Sequence, residues 1–377
     1  MIYLDNSATT YPKPLKVKNS MITALEKFGA NSGRSGYKMA METSEKIFEC
    51  REKLSEMFNA DSSENVAFTL NCTHALNMAI KGLVHKGDHI IISNIEHNAV
   101  ARPIENLANM GYITYSAAKY SQDDEQTVAN FKALINEKTT LIVCMHASNV
   151  FGVMLPIEEI GQLAKDNNLN FIVDSAQTAG VCEIDIKKSN ITALCMPGHK
   201  GLYGPMGTGV LITSRGESMQ TIIEGGTGSS SSSLLQPNFM PDRFESGTEN
   251  TSGIIALSSA IDFVNSFGYA KIQKHEYSLT SELYENLKNN SNVKLYTKKP
   301  SYPYSMPIIS FNYKDYSSEK TATLLNEKNI AVRAGYHCAY NAHKAFETEK
   351  YGTVRVCPSV FTNEKDIIVF TNIIKNL

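Results

Sequence analysis

Apolar residues along this chain fall into two alternating rhythms. Between positions 43 and 60, Ile47, Cys50, Leu54, Met57 and Phe58 recur at spacings of three and four, which predicts a helix with one buried stripe. Residues 66–70, 89–93, 141–145, 170–173 and 209–213 are instead continuous apolar runs of strand length, with helix-compatible stretches such as 75–83 and 157–167 between them. Strands that are apolar on both sides must be covered on both sides. The alternation therefore predicts an α/β fold, a mostly parallel sheet with helices on both faces. Beyond Gly253 the rhythm changes to helical stretches at 254–267 and 278–288, a strand at 307–312, and helices at 319–328 and 364–376, which reads as a smaller α+β domain.

Polar clusters follow four of the apolar runs: Asn71-Cys72-Thr73-His74, Glu96-His97-Asn98, His146-Ala147-Ser148-Asn149 and Asp174-Ser175-Ala176-Gln177. Ligands of open α/β sheets bind outside the carboxyl ends of the strands, so these clusters mark one candidate site. Thr73 and His74 open a helix, where free N–H groups favour an anion; Thr73 serves equally well as an ordinary cap. His97 suits either stacking on an aromatic ring with proton transfer, or a plain surface hydrogen bond. Arg355, alternating with apolar neighbours, sits on a strand and offers a fork for a carboxylate or an ordinary ion pair. Gly198-His199-Lys200 presents an amine on a glycine-rich loop, and Asp174 closes a buried strand with an anion. Taken singly, the lysine reads as a solvated surface group and the aspartate as a helix cap; together, an imine-forming amine and a carboxylate for a pyridine nitrogen suit pyridoxal 5'-phosphate. His199 and Gln177 are then placed to contact its phosphate and phenolate oxygen.

Composition narrows the classes. With 377 residues, 42% of them hydrophobic, the chain is long enough for one large core and a smaller one. A formal charge of -2 with interleaved signs leaves no basic stripe, so nucleic acid is not an expected partner. Neither a secretory leader nor an apolar run of membrane-spanning length is visible, and the expected compartment is the cytosol. The seven cysteines are scattered, without CxxC or zinc-finger spacing, which disfavours a disulfide framework and a structural metal. Cys144 and Cys195 lie in apolar strands, whereas Cys338 is flanked by Arg333, Gly335 and His337. The low-complexity segment Gly225 to Ser233 reads as a mobile loop or an interdomain linker.

Six motifs together resemble the class V aminotransferases, and within them the cysteine desulfurases: Tyr3-Leu4-Asp5-Asn6-Ser7-Ala8-Thr9-Thr10, Glu96-His97-Asn98-Ala99, Val173-Asp174-Ser175-Ala176-Gln177, Gly198-His199-Lys200, Phe244-Glu245-Ser246-Gly247-Thr248-Glu249-Asn250-Thr251 and Arg333-Ala334-Gly335-Tyr336-His337-Cys338-Ala339. The short Arg-x-Gly-x-His-Cys-Ala form is similar to the second desulfurase group, of SUF and selenocysteine-lyase type. The resemblance implies a fold type I transferase that depends on pyridoxal 5'-phosphate, with a seven-stranded large domain at 15–252. A small domain, made of 1–14 and 253–377, would carry the catalytic cysteine. It implies Lys200 as the Schiff-base lysine, Asp174 at the ring nitrogen and His97 stacked on the ring. Gln177 and Asn149 would contact the cofactor, Thr73, His74 and His199 its phosphate, and Thr248 the phosphate of a neighbouring subunit in a homodimer. Asn6, Arg333 and Arg355 would serve the substrate, L-cysteine. Cys338 would be the nucleophile that hands sulfur to an acceptor protein, with Arg333 or His337 favouring its thiolate. Pro197 departs from the pattern, since relatives often place a hydroxyl there; Tyr336 replaces a common histidine. Selenocysteine lyase, a transaminase or β-lyase of the same fold, and a cofactor-binding sulfur carrier with little turnover are the competing readings.

Overall fold

The computed structural model describes residues 1–32 and 36–377. A two-residue strand, β1 (Ile2–Tyr3), precedes helices α1 (Leu15–Lys27) and α2 (Lys38–Met57). The central sheet then forms from β2 (Val66–Thr69), β3 (His89–Ser93), β4 (Thr114–Ala118), β5 (Thr139–Met145), β6 (Asn170–Asp174), β7 (Ala193–Pro197) and β8 (Gly209–Thr213). Their spatial order is β2-β8-β7-β6-β5-β3-β4. Pairing is parallel from β4 through β7, and β8 is antiparallel to both β7 and β2. One reversed strand among seven gives the mostly parallel sheet that the continuous apolar runs predict.

Between the strands run α3 (Cys72–Leu83), α4 (Asn98–Asn109), α5 (Asp124–Lys132) and α6 (Ile157–Asp166). Alternate strand residues enter two separate cores. Ile90, Ile92, Leu141, Val143 and Ile172 pack with α3 and α4, while Ile91, Ile142, Cys144, Phe171 and Val173 pack with α2 and α6. Strand residues buried on both faces explain why their runs are unbroken. Edge strand β4 is the exception: Thr114, Tyr115 and Ala117 are exposed, so it carries no continuous apolar run.

The rest of the chain adds α7 (Thr251–Phe267), α8 (Tyr269–Lys288), β9 (Val293–Leu295), β10 (Ile309–Tyr313), α9 (Ser318–Asn326), β11 (Ile330–Ala331), β12 (Arg333–Gly335), α10 (Tyr340–Ala345), β13 (Thr353–Val356) and α11 (Glu364–Lys375). An antiparallel sheet, β12-β13-β10-β9, shares a core with α8 and α11 through Leu283, Phe311, Val354 and Phe370. β1 joins this part by pairing with β11, which returns the first residues of the chain to its last hundred. Helix α7 does not pack there. Its Ile254, Leu257 and Ile261 enter the large-sheet core, while its Val264 packs with Ile272 of α8, Met306 and Ile308 in a cluster between the two sheets.

Candidate active site

The carboxyl ends of β2, β3, β5, β6 and β7 share one edge of the sheet, and a cavity of about 530 Å³ opens there. Its lining takes at least one residue from the end of each of these strands or the turn after it: Thr73, His97, Asn149, Asp174 and Lys200 among them. Every polar strand-end cluster of the sequence contributes.

Local backbone chemistry explains how each side chain arrives. Asp174 is the last residue of β6; it is buried, and its Oδ1 accepts from the Ala176 N–H at 2.9 Å and lies 3.6 Å from Cys72 Sγ. Burial pushes its carboxyl up, opposed by that N–H and by the charge of Lys200. Lys200 follows β7 on a turn closed by bonds from Tyr203 N to Lys200 O and from Gly204 N to Gly198 O. Only glycine fits at Gly198 and Gly201, where a Cβ would stand 2.2 Å from Thr208 Oγ1 and 2.4 Å from Ala179 O. Burial pulls the Lys200 amine down, with Asp174 opposing, so amine and carboxylate each moderate the other in one cavity.

His97 is the N-cap of α4, its Nδ1 accepting from Ala99 N at 3.0 Å. That bond leaves the proton on Nε2. Burial, aided by the charges of Lys200, Arg333 and Arg355, pulls the ring down to about 4, so at neutral pH it is an uncharged aromatic face. His199 is likewise held down to about 4 by burial, and its Nδ1 is buried without a partner, as is Asn149 Oδ1.

Several expected residues sit differently. Thr73 is not the cap of α3: Asn71 is, accepting from His74 N at 2.9 Å, which leaves Thr73 exposed in the first turn at the cavity wall. His74 lines a separate cavity with Leu70 and Thr248, its Nδ1 accepting from Leu70 N at 3.3 Å. Asn6 uses both ends of its amide internally, donating to Cys357 O at 2.9 Å and accepting from Tyr11 N at 3.1 Å. Gln177 lines the cavity with its amide bonded to Ser7 through Oγ and the main-chain O. Arg355 is buried behind Asn149, donating to Asp5 Oδ1 at 2.6 Å and to Asn149 O at 2.8 Å. Its Nε has no partner, and the salt-bridge alternative describes its present contacts. Asp5 and Cys72 lie in motifs of the sequence that assign neither of them a role; each meets its partner across more than a hundred residues of sequence.

Cys338 stands on a turn after β12, exposed, with Arg333 Nη2 at 3.8 Å from its Sγ. Asn98 N donates to Cys338 O at 2.7 Å and Asn149 Nδ2 to His337 O at 2.8 Å, which ties the turn to the His97 and Asn149 segments. His337 is not the cation beside this sulfur. Its ring is buried against Thr353 O at 2.9 Å, and burial holds it neutral.

A small aromatic ligand with an aldehyde, a ring nitrogen and an anionic arm fits this cavity. Two buried polar atoms without partners, a recessed amine, a buried carboxylate, a neutral imidazole and the start of α3 supply complementary chemistry for each end. Among the described residues no group of three or more His, Cys, Asp or Glu is arranged to hold a metal ion. Nor is any described helix long and apolar enough to cross a membrane.

The model of the aminotransferase class-V family matches residues 2–370, and the chain belongs to that family. A probable cysteine desulfurase of Methanothermobacter thermautotrophicus is 33% identical, covering 97% of this chain and 92% of its own length. One from Borreliella burgdorferi is 32% identical over 97% of this chain and 89% of its own. Among solved structures, the apo cysteine desulfurase of Thermococcus onnurineus superposes with a TM-score of 0.92 at 28% identity, covering all of this chain and 94% of that one.

Proposed function

We propose that this protein is a cysteine desulfurase that depends on pyridoxal 5'-phosphate, converting L-cysteine to L-alanine and leaving a persulfide on Cys338 for an acceptor protein. The observation that carries the reading is one constellation: Lys200, Asp174 and His97 line a single cavity, and the turn bearing Cys338 is hydrogen-bonded to the residue after His97. Similarity to several proteins named as desulfurases supports it. A transaminase would have no use for Cys338.

In this reading Lys200 would hold the cofactor through its amine, Asp174 would serve the ring nitrogen, and His97 would offer its uncharged face to the ring. Thr73, His199 and the N–H groups at the start of α3 would take the phosphate, and Asn149 and Gln177 the remaining polar groups. Bound there, pyridoxal phosphate supplies an electron sink for the α-carbon of an amino acid. Lys200 Nζ, depressed by burial, takes the α-proton and later returns one. Cys338 Sγ, as a thiolate, attacks the sulfur of the substrate; the new S–S bond forms as the carbon–sulfur bond breaks, and the carbon fragment is protonated to alanine. Arg333 is the cation beside the attacking sulfur. Arg355, with unused donors and an unpartnered Nε, takes the substrate carboxylate on giving up part of its contact with Asp5.

A large unit carrying the cofactor and a small unit carrying Cys338 complete the picture, with the protein acting in the cytosol as a homodimer. All seven cysteines are free, which suits a reducing compartment. The deciding experiment incubates the cofactor-loaded protein with L-cysteine and measures alanine, and sulfide with and without a reductant. Alanine should match released sulfide once reductant is present. Tight cofactor binding without alanine would reject the reading in favour of a non-catalytic carrier.

A further inference from the structure

Glu96 is a buried carboxylic group that the proposed chemistry does not use. It is 1% exposed, and it lies in the turn between β3 and α4, one residue before His97. Burial and the nearby charge of Asp174 push its carboxyl up to about 8, while hydrogen-bond donors pull the other way. Leaving such a group in a core is unfavourable unless its contacts compensate.

Those contacts form a clamp. Met145 N donates to Glu96 Oε1 at 3.1 Å and to Oε2 at 3.2 Å, and Ser93 Oγ donates to Oε1. Ser93 ends β3 and Met145 ends β5, so one carboxyl ties the His97 turn to the tips of two neighbouring strands. Met145 is also the residue of β5 paired with Asp174 of β6. The imidazole and the carboxylate that line the cavity are thereby referred to the same strand end.

We propose that Glu96 is a positioning residue for His97: through Met145 and Ser93 it fixes where the imidazole stands relative to the Asp174 carboxylate across the cavity. This rests on the cofactor reading of the cavity. It does not require Glu96 to touch cofactor or substrate, and its lining residues do not include Glu96.

The test is a double-mutant cycle read by the dissociation constant of pyridoxal phosphate, followed through its visible absorption, with the melting temperature of each protein recorded. Glu96→Ala should weaken binding by about tenfold in the presence of His97 and by less than about twofold in a His97→Ala background. Glu96→Gln should restore binding, because its carbonyl accepts from Met145 N and its amide donates to the Ser93 hydroxyl. Ser93→Ala removes one strut without emptying the site, and should show a smaller loss with the same dependence on His97 if Glu96→Ala does not fold. Equal losses with and without His97, no loss with it, or failure of the glutamine to rescue would each overturn the proposal. A wild-type protein that binds no pyridoxal phosphate would instead overturn the cofactor reading, before any variant is compared.

Discussion

Cys338 is the only exposed cysteine among the described residues; the other six are buried. Replacing it with alanine therefore separates chemistry from folding. The Cys338→Ala protein should bind pyridoxal phosphate with unchanged visible absorption and release sulfide from cysteine only at background; sulfide at the wild-type rate would end its assignment as nucleophile. Lys200→Ala should also slow turnover, by roughly 10²–10⁴-fold, the usual range for a positioned proton carrier, but unlike Cys338→Ala it should lose the lysine-dependent absorption band. At this scale the sequence was legible where a residue closes an apolar run, as Asp174 does, or follows one within a few residues, as His97 does, because strand ends and cavity coincide in this fold. It was not legible where function depends on a distant partner. Nothing near Arg355 announces Asp5, and a lone Asn6 does not show that both ends of its amide are already engaged.

The turn that carries Cys338 belongs to the element scale, since its shape depends on neighbours from other elements. His337 and Cys338 have φ of 49° and 58°, the left-handed region that non-glycine residues enter at roughly 1 kcal/mol or more each. Asn149 and the first N–H of α4 hold the two carbonyls of this strained pair. Asn149→Ala should therefore free the turn, raising deuterium uptake over residues 337–341 by about fivefold, the equivalent of one net hydrogen bond. Unchanged uptake in that segment would show that the turn holds itself. The left-handed pair could not be read from the sequence, which has no glycine at either position. Helix and strand positions were readable wherever burial is two-sided or striped. Helix α3 starts earlier than its apolar stripe because Asn71 caps it, and β4 was missed because an exposed edge strand follows neither rhythm.

Across the whole molecule, Glu276 of α8 joins the two cores, accepting from the Tyr203 hydroxyl at 3.3 Å. Burial pushes its carboxyl from 4.5 up to about 8. The native state thus holds this proton more tightly than the unfolded chain, so stability is greatest below pH 4.5 as far as this group is concerned and falls as pH rises toward 8, by up to about 1.4 kcal/mol per pH unit. Glu276→Gln keeps the Tyr203 bond and removes the titration; its urea midpoint should decline less than that of wild type between pH 5.5 and 8.5, and parallel curves would show that Glu276 is not the source. A second whole-molecule property concerns Thr248, exposed at a cavity with Leu70, His74 and Ile223 and apart from the lining around Lys200. Leu70, Met206 and Ile223 are exposed around or beside it, which makes the surface there apolar. If Thr248 completes the phosphate site of a neighbour, the 41.6 kDa chain should sediment as a dimer. Thr248→Ala alone should then weaken cofactor binding, and mixing it with Lys200→Ala subunits should regenerate one intact site per mixed pair. Recovery of activity on mixing distinguishes this from a site completed within one chain, in which two defective subunits remain defective whatever their company.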